Sequence, residues 1–162
     1  MSIEKLPAGT RGAHAVPRVI QRLTLPLRMR MHHRAGDRMS GMDLLYLSTV
    51  GARSGTRRTT PVARFDAGEG AWLVVASAGG QAKQPAWYLN MVAHPQDVEV
   101  EVGGAHHRVA PEQLAGDERA EAWRMITSRA RNFADYETKT DRTIPVLRLR
   151  SVGIVDATSA DE

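Results

Sequence analysis

Apolar and polar residues change period along the chain, and those changes mark out its elements. Val16, Val19, Ile20, Leu23, Leu27 and Met31 recur every three or four residues, the spacing of one helix face, with Pro26 placed to kink or restart that helix. Residues 42–49 (MDLLYLST) then read as a strand, the glycines of 51–57 as a turn, and 58–66 as the return strand. Pro61 in the return strand calls for an edge position or a bulge, because proline donates no ladder hydrogen bond. Residues 67–70 turn again into 71–77 (AWLVVAS), the clearest buried strand in the chain. Residues 98–102 (VEVEV) alternate strictly, and Gly103-Gly104 folds them back onto 105–111; residues 144–155 form a closing strand. Three further helices are expected: from Pro85 to His94, from a cap at Asp117 to about Ala130, and over 132–138.

About six strands joined mostly by tight turns, without βαβ alternation, predict an α+β, mainly β fold. An antiparallel barrel with flanking helices fits best. The 162 residues suit one domain, divided into a basic amphipathic extension (1–38), the barrel domain (39–155) and a disordered tail (156–162). The absence of cysteine excludes disulfides, thiolate metal sites and a cysteine nucleophile. No uninterrupted apolar stretch of about 18 residues and no signal-peptide pattern is present, so a cytoplasmic location is expected.

The net charge of +4 is unevenly spread. Residues 1–38 carry eight Lys/Arg against Glu4 and Asp37, and the remainder is slightly acidic. The basicity therefore belongs to the amphipathic segment. Such a helix suits packing on the domain or a dimer partner. It also suits an anionic membrane surface reached through residues 15–34, where each Lys or Arg contributes about 1 kcal/mol. Under the second reading the protein is peripheral at the inner membrane face. Nucleic acid is not expected, since no stacking aromatics, helix-turn-helix pattern or zinc-finger spacing accompany the charge.

Most chemistries lack visible machinery. The pairs His32-His33 and His106-His107 are adjacent, so their side chains diverge, and no metal site is expected. There is no G-x-S-x-G elbow and no evident carboxylate pair. An enzyme of this kind would rely on a bound cofactor. What stands out is an anion-binding constellation. Arg53, Arg57 and Arg58 share one turn with Ser54, Thr56, Thr59 and Thr60, and a strand ends at Ser77 before Gly79-Gly80 and a helix. Amides in such a turn can cradle phosphate or carboxylate, arginines can clamp it bidentately, and Lys83 adds a point charge. Trp87, Tyr88 and Met91 can offer surface to a planar ring. A charged hairpin, a plain glycine turn and a core Trp87 explain the same spacing equally well.

Residues 47–61 (LSTVGARSGTRRTTP) resemble the signature L-x-T-x-G-R-K-S-G-x-x-R-x-x-P. Residues 76–90 (ASAGGQAKQPAWYLN) resemble A-S-K-G-G-x-x-K-x-P-x-W-Y-x-N, and Asp135-Tyr136 with 140–145 (TDRTIP) resembles D-Y…T-D-R-x-I-P. All three belong to the deazaflavin (F420)-dependent nitroreductase family, a branch of the split β-barrel oxidoreductases, and the likeness spans roughly 42–150. It implies a split β-barrel of the FMN-binding type and coenzyme F420 as cofactor. FMN is less suitable, because a ring without a long anionic tail has no use for three arginines in six residues. The resemblance places phosphate and tail along Arg53, Ser54, Arg57, Arg58, Thr60 and Pro61, with Lys83 serving the tail. Ser77, Ala78, Gly79, Gly80 and Trp87 then lie against the ring or its linker. Ser77 and Tyr136 are the catalytic candidates, Ser77 through a hydrogen bond to ring or acceptor and Tyr136 as a mobile wall and proton donor. Phe133, Tyr136, Ala63 and Tyr88 are expected to line the substrate pocket. The implied reaction is hydride transfer from reduced deazaflavin to a hydrophobic electron-poor acceptor (quinone, enone or nitroaromatic), by a monomer or homodimer in an actinobacterial host. The alternative is a non-catalytic carrier of a fatty acid or other apolar ligand on the same fold.

Overall fold

The alternating segments become one curled, antiparallel sheet in the computed structural model, which describes residues 3–14, 18–34 and 36–156. Helix α1 (Arg18–Arg34) leads into the strands β1 (Arg38–Met39), β2 (Met42–Val50), β3 (Arg57–Ala63), β4 (Phe65–Asp66) and β5 (Ala71–Val75). A 3₁₀ turn (Ala78–Gly80) and α2 (Ala86–Ala93) follow, then β6 (Glu99–Val102), β7 (Ala105–Gln113), α3 (Gly116–Arg129), α4 (Asn132–Lys139) and β8 (Val146–Ile154). The sheet runs β1-β2-β6-β7-β8-β5-β4, with β3 on the other side of β2. Six strands are those the pattern predicts; β1 and β4, two residues each, are too short to show a period. Strand β3 pairs with β2 alone, from Leu44↔Ala63 to Val50↔Arg57, and Pro61 sits opposite Tyr46 on this edge, where its missing N–H costs no ladder bond.

Strand β5 reads as a continuous apolar run because both its faces are buried. Trp72 and Val74 point into the barrel with Leu45, Leu47, Val100, Leu147 and Leu149, and α2 seals that interior with Trp87, Tyr88 and Met91. Leu73 and Val75 point the other way, into a cluster with Phe65, Ile126, Phe133, Ile144 and Val146 that α3 and α4 cover.

Two N-terminal expectations change. Helix α1 is one continuous element through Pro26, so of the two expected outcomes, a kink or a restart, the restart does not occur. Residues 3–14, expected to belong to one amphipathic extension, form instead a strap hydrogen-bonded across the domain. Gly9 N donates to Ala82 O (2.8 Å) and Ala13 N to Gly80 O (2.9 Å). The Thr10 and Arg11 amides donate to Asp141 Oδ1 (2.8 and 3.0 Å), and Thr140 Oγ1 donates to Arg11 O (2.8 Å). Gln84 Nε2 donates to Pro7 O at 3.2 Å. Leu27 and Met31, one turn apart on α1, are 64% and 60% exposed. The predicted stripe at Val16, Val19, Ile20 and Leu23 and the tail beyond Asp156 lie outside the described side chains. Among the described residues no helix is long and apolar enough to cross a membrane.

Candidate functional site

Two turns, one charged and one rich in glycine, are held by α2 and the segment leading into it. The charged turn joins β2 to β3. Gly51 N donates to Thr56 O and Gly55 N to Gly51 O, both at 2.9 Å, and Gly55 takes φ +67°, which glycine adopts without strain. Asn90 of α2 fixes this turn from below, accepting from Ala52 N at 3.0 Å and donating to the buried Thr49 hydroxyl at 3.2 Å. Arg53, Ser54, Arg57 and Arg58 are left exposed. Arg57 leans toward Glu99 at 3.6 Å, whereas Arg53 and Arg58 have no carboxylate partner among the described residues. Thr60, Pro61 and Ala63 continue along the half-buried edge of β3.

The second turn, Ser77–Gln81, is made of backbone. Its organiser is Arg142, 6% exposed. Arg142 Nη1 donates to Ala76 O (3.1 Å) and to Gln84 Oε1 (2.9 Å), Nη2 to Ser77 O (2.6 Å) and Nε to Gln81 O (2.7 Å). All four acceptors are neutral. Burial pushes the guanidinium pKa down, but arginine remains charged. Because the peptides are trans, carbonyls drawn toward Arg142 send the Ser77 and Ala78 amides the other way. Neither of these amides, nor that of Gly79, donates to a described residue. Ser77 is right-handed (φ −75°, ψ −34°) and Ala78 left-handed (φ 46°), the alternation of an anion-binding nest; Gly79 follows at φ 62°, and a Cβ on it would meet open space.

Gly80 faces elsewhere. At φ +80° its open side lies against α4, where a Cβ would come within 2.9 Å of both the Tyr136 carbonyl and Lys139 Cβ. Its N–H donates to Ser77 O and its carbonyl accepts from the strap. It therefore serves close packing, while Ser77, Ala78 and Gly79 keep the open face.

Helix α4 supplies an adjoining apolar wall. Phe133 packs edge-on against Phe65 (5.9 Å) and Tyr136 (5.6 Å), and Ala63 and Tyr136 border the same cluster. Three of the predicted substrate-side residues thus come together. Asn132 Nδ2 donates to the Tyr136 hydroxyl at 3.2 Å, and the Lys139 ammonium lies 5.5 Å from the centre of the Tyr136 ring.

Tyr88 does not join them. It is fully buried in the barrel interior; its hydroxyl accepts from Leu6 N (3.1 Å) and lies 2.9 Å from Glu4 O and 2.8 Å from Gln113 Oε1. Burial raises its pKa. The residue anchors the strap and has no face left for a substrate. Trp87 is mostly in the same interior, and Lys83 is exposed on the approach to α2. No cluster of metal-ligating side chains occurs among the described residues.

The sequence reading assigned no role to Asn90, Arg142 or Asp141. Asp141 takes the Thr10 hydroxyl as well as two strap amides, and these hydrogen bonds hold its pKa at about 2. Their signal lay within the motifs that carry the resemblance, as polar residues that no local periodicity explained.

Comparison with known proteins bears on the family and the fold. The model of the F420H(2)-dependent quinone reductase family matches residues 20–150. An F420H(2)-dependent quinone reductase of Mycobacterium tuberculosis is 37% identical over 120 residues, covering 72% of this chain and 79% of that protein. A solved F420-H2 dependent reductase (FDR-A) superposes with a TM-score of 0.59 at 36% identity, covering 66% of this chain and 93% of that one. A structure described as a domain-swapped dimer matches at 31% identity and TM-score 0.59, covering 79% of this chain and 99% of that one. The haem storage protein HutZ of Vibrio cholerae, at 12% identity and TM-score 0.50 over 80% of this chain and 92% of its own, shares the fold alone. With its split-barrel sheet, its three motifs and a match over most of its length, the chain belongs to the F420H(2)-dependent quinone reductase family and is an F420-dependent reductase.

Proposed function

We propose that the chain passes hydride from reduced F420 to a hydrophobic electron-poor acceptor, with a quinone the preferred substrate. The observation that carries this reading is the combination of Arg53 and Arg58, which have no carboxylate partner among the described residues, with the three amides at Ser77–Gly79 that donate to none of them, and the apolar wall of Ala63, Phe133 and Tyr136. These donors fit an elongated ligand with an anionic tail and a polar-edged ring. When bound, the reduced deazaflavin supplies the hydride from ring carbon 5.

In this reading Arg53, Arg58 and Lys83 bind the tail through charge-assisted hydrogen bonds, with Ser54, Thr60 and Pro61 bordering it. Arg57 contributes less, being drawn to Glu99. The Ser77, Ala78 and Gly79 amides and the Ser77 hydroxyl orient the ring, while Trp87 stays buried in the barrel interior behind them. Reduction of a quinone needs one hydride and one proton. In this reading Tyr136 delivers the proton, supported by the Asn132 amide donating to its oxygen, which leaves the phenolic proton available. Phe133 backs Tyr136 and keeps water out.

Helix α1 supports the choice of a membrane-dissolved acceptor. Leu27 and Met31 project beside exposed Arg28, Arg30 and Arg34, an arrangement suited to an anionic bilayer surface. Wild type should sediment with anionic liposomes and a Leu27→Glu/Met31→Glu variant should not; equal sedimentation removes the membrane component.

The activity is tested by mixing protein carrying reduced F420 with a short-chain quinone, an enone or a nitroaromatic and following the return of oxidised deazaflavin absorbance. The quinone should react fastest, and Tyr136→Phe should slow it by about 10²-fold. Cofactor bound but oxidised no faster than in free solution would contradict the proposal and favour the apolar-ligand carrier.

A further inference from the structure

Arg142 is a buried charge without a counter-charge among the described residues. A guanidinium taken out of water is normally matched by a carboxylate, because an unpaired buried ion is costly. Here every acceptor is a carbonyl or an amide oxygen. The neighbouring Asp141 carboxylate is occupied by Thr10 and Arg11. Of the charged groups on the segments packed against the turn, Arg11, Lys83 and Lys139 are cationic and Asp135 and Glu137 anionic, and all five lie exposed, away from the buried fork.

The fork grips two consecutive carbonyls, Ala76 and Ser77, whose peptides carry the outward-facing Ser77 and Ala78 amides. A cation on a carbonyl oxygen polarises the whole peptide and strengthens the donor at its far side. We infer that Arg142 is a positioning residue for the F420 site: it aims the Ser77 and Ala78 amides outward and, from behind the turn, supplies the positive charge that favours an anionic ring edge. The inference rests on the site reading above. It assigns the turn's preference for negative charge to a residue that touches no ligand.

Two properties are separable, the aim of the amides and the charge behind them. Gln84→Glu keeps an oxygen for Arg142 Nη1 and places a carboxylate against it, cancelling the charge while leaving the fork in place; it also gives up the Nε2 donor to Pro7 O of the strap. A structural arginine would tolerate this change or gain from it. An electrostatic one would not. The probe is oxidised F420, whose 8-hydroxyl ionises with a change in absorbance.

Gln84→Glu is expected to stay folded, with its melting temperature lowered only by the loss of the one strap hydrogen bond to Pro7, to bind oxidised F420 about tenfold more weakly, and to raise the pH at which the bound 8-hydroxyl ionises. Arg142→Lys, retaining charge without the fork, should bind more weakly but ionise the ring near the wild-type pH. Arg142→Gln should shift the ionisation upward. The same ionisation pH in wild type and in all variants that fold, or undiminished affinity in Gln84→Glu, overturns the inference while leaving the site reading intact. Failure of the wild type to bind F420 overturns both.

Discussion

The charged turn after β2 and the glycine turn after β5 both present hydrogen-bond donors, but one uses exposed side chains and the other backbone amides. The first rests on one strut, Asn90. The second is held by Arg142, the N-terminal strap and the close packing of α4 on Gly80. Exposed arginines can follow a flexible chain, and their loss leaves the fold unaffected. Amides fixed by a buried fork can hold a rigid ring at a set angle, and their disturbance reaches the core. The contrast matches a ligand with a mobile charged tail and a planar reacting head.

Substitutions should separate the two turns. The largest effect on folding is expected from Gly80→Ala, which puts a side chain at φ +80° within 2.9 Å of the Tyr136 carbonyl. Strain of about 1–3 kcal/mol adds to displacement of α4, and chemical denaturation should report both as a lower midpoint. Asn90→Ala comes next. It leaves the Ala52 amide and the buried Thr49 hydroxyl without their partner, a cost of about 1–3 kcal/mol, and should weaken F420 binding through the charged turn. Arg53→Ala and Arg58→Ala should each weaken F420 binding by about tenfold or more with no change in melting temperature, as expected of exposed groups with charge-assisted contacts. A drop in melting temperature comparable to that of Asn90→Ala would erase the distinction between turn and strut.

The smallest effect concerns the strap. The Asp141 pKa, lowered to about 2 by hydrogen bonds from Thr10 and Arg11, means that folding favours its ionised form. Its contribution is present above the ordinary carboxylate pKa and is lost as pH falls through about 2. Hydrogen exchange of the Thr10 and Arg11 amides should stay slow down to that range in wild type, and be faster at neutral pH in Asp141→Asn.

Much of this was visible beforehand. Strands β2, β3, β5, β6, β7 and β8 announce themselves through alternation and turn glycines, and the two donor turns through arginine and glycine density, because those signals are local. Arg142 could not be read the same way. Its partners are carbonyls some sixty residues earlier, and any sequence supplies carbonyls. Asn90 meets Ala52 and Thr49 only once α2 lies across β2. The strap has neither helical nor strand period, so only the fold shows that Ala13 pairs with the glycine turn and Gly9 with Ala82 just beyond it. Tyr88 misled for a related reason: an aromatic beside a presumed ring site looks like a wall, and its burial is decided by the face of α2 that the barrel takes.

The most direct test of the division between the two turns compares two ligands in one titration series, F420 and a deazaflavin lacking the phosphate and polyglutamate tail. Binding to wild type and Arg58→Ala would be followed by deazaflavin fluorescence. The account predicts that Arg58→Ala weakens F420 by about tenfold or more and leaves the tail-less ring unaffected. Equal losses for both ligands would place the ring, not the tail, at the charged turn and contradict it.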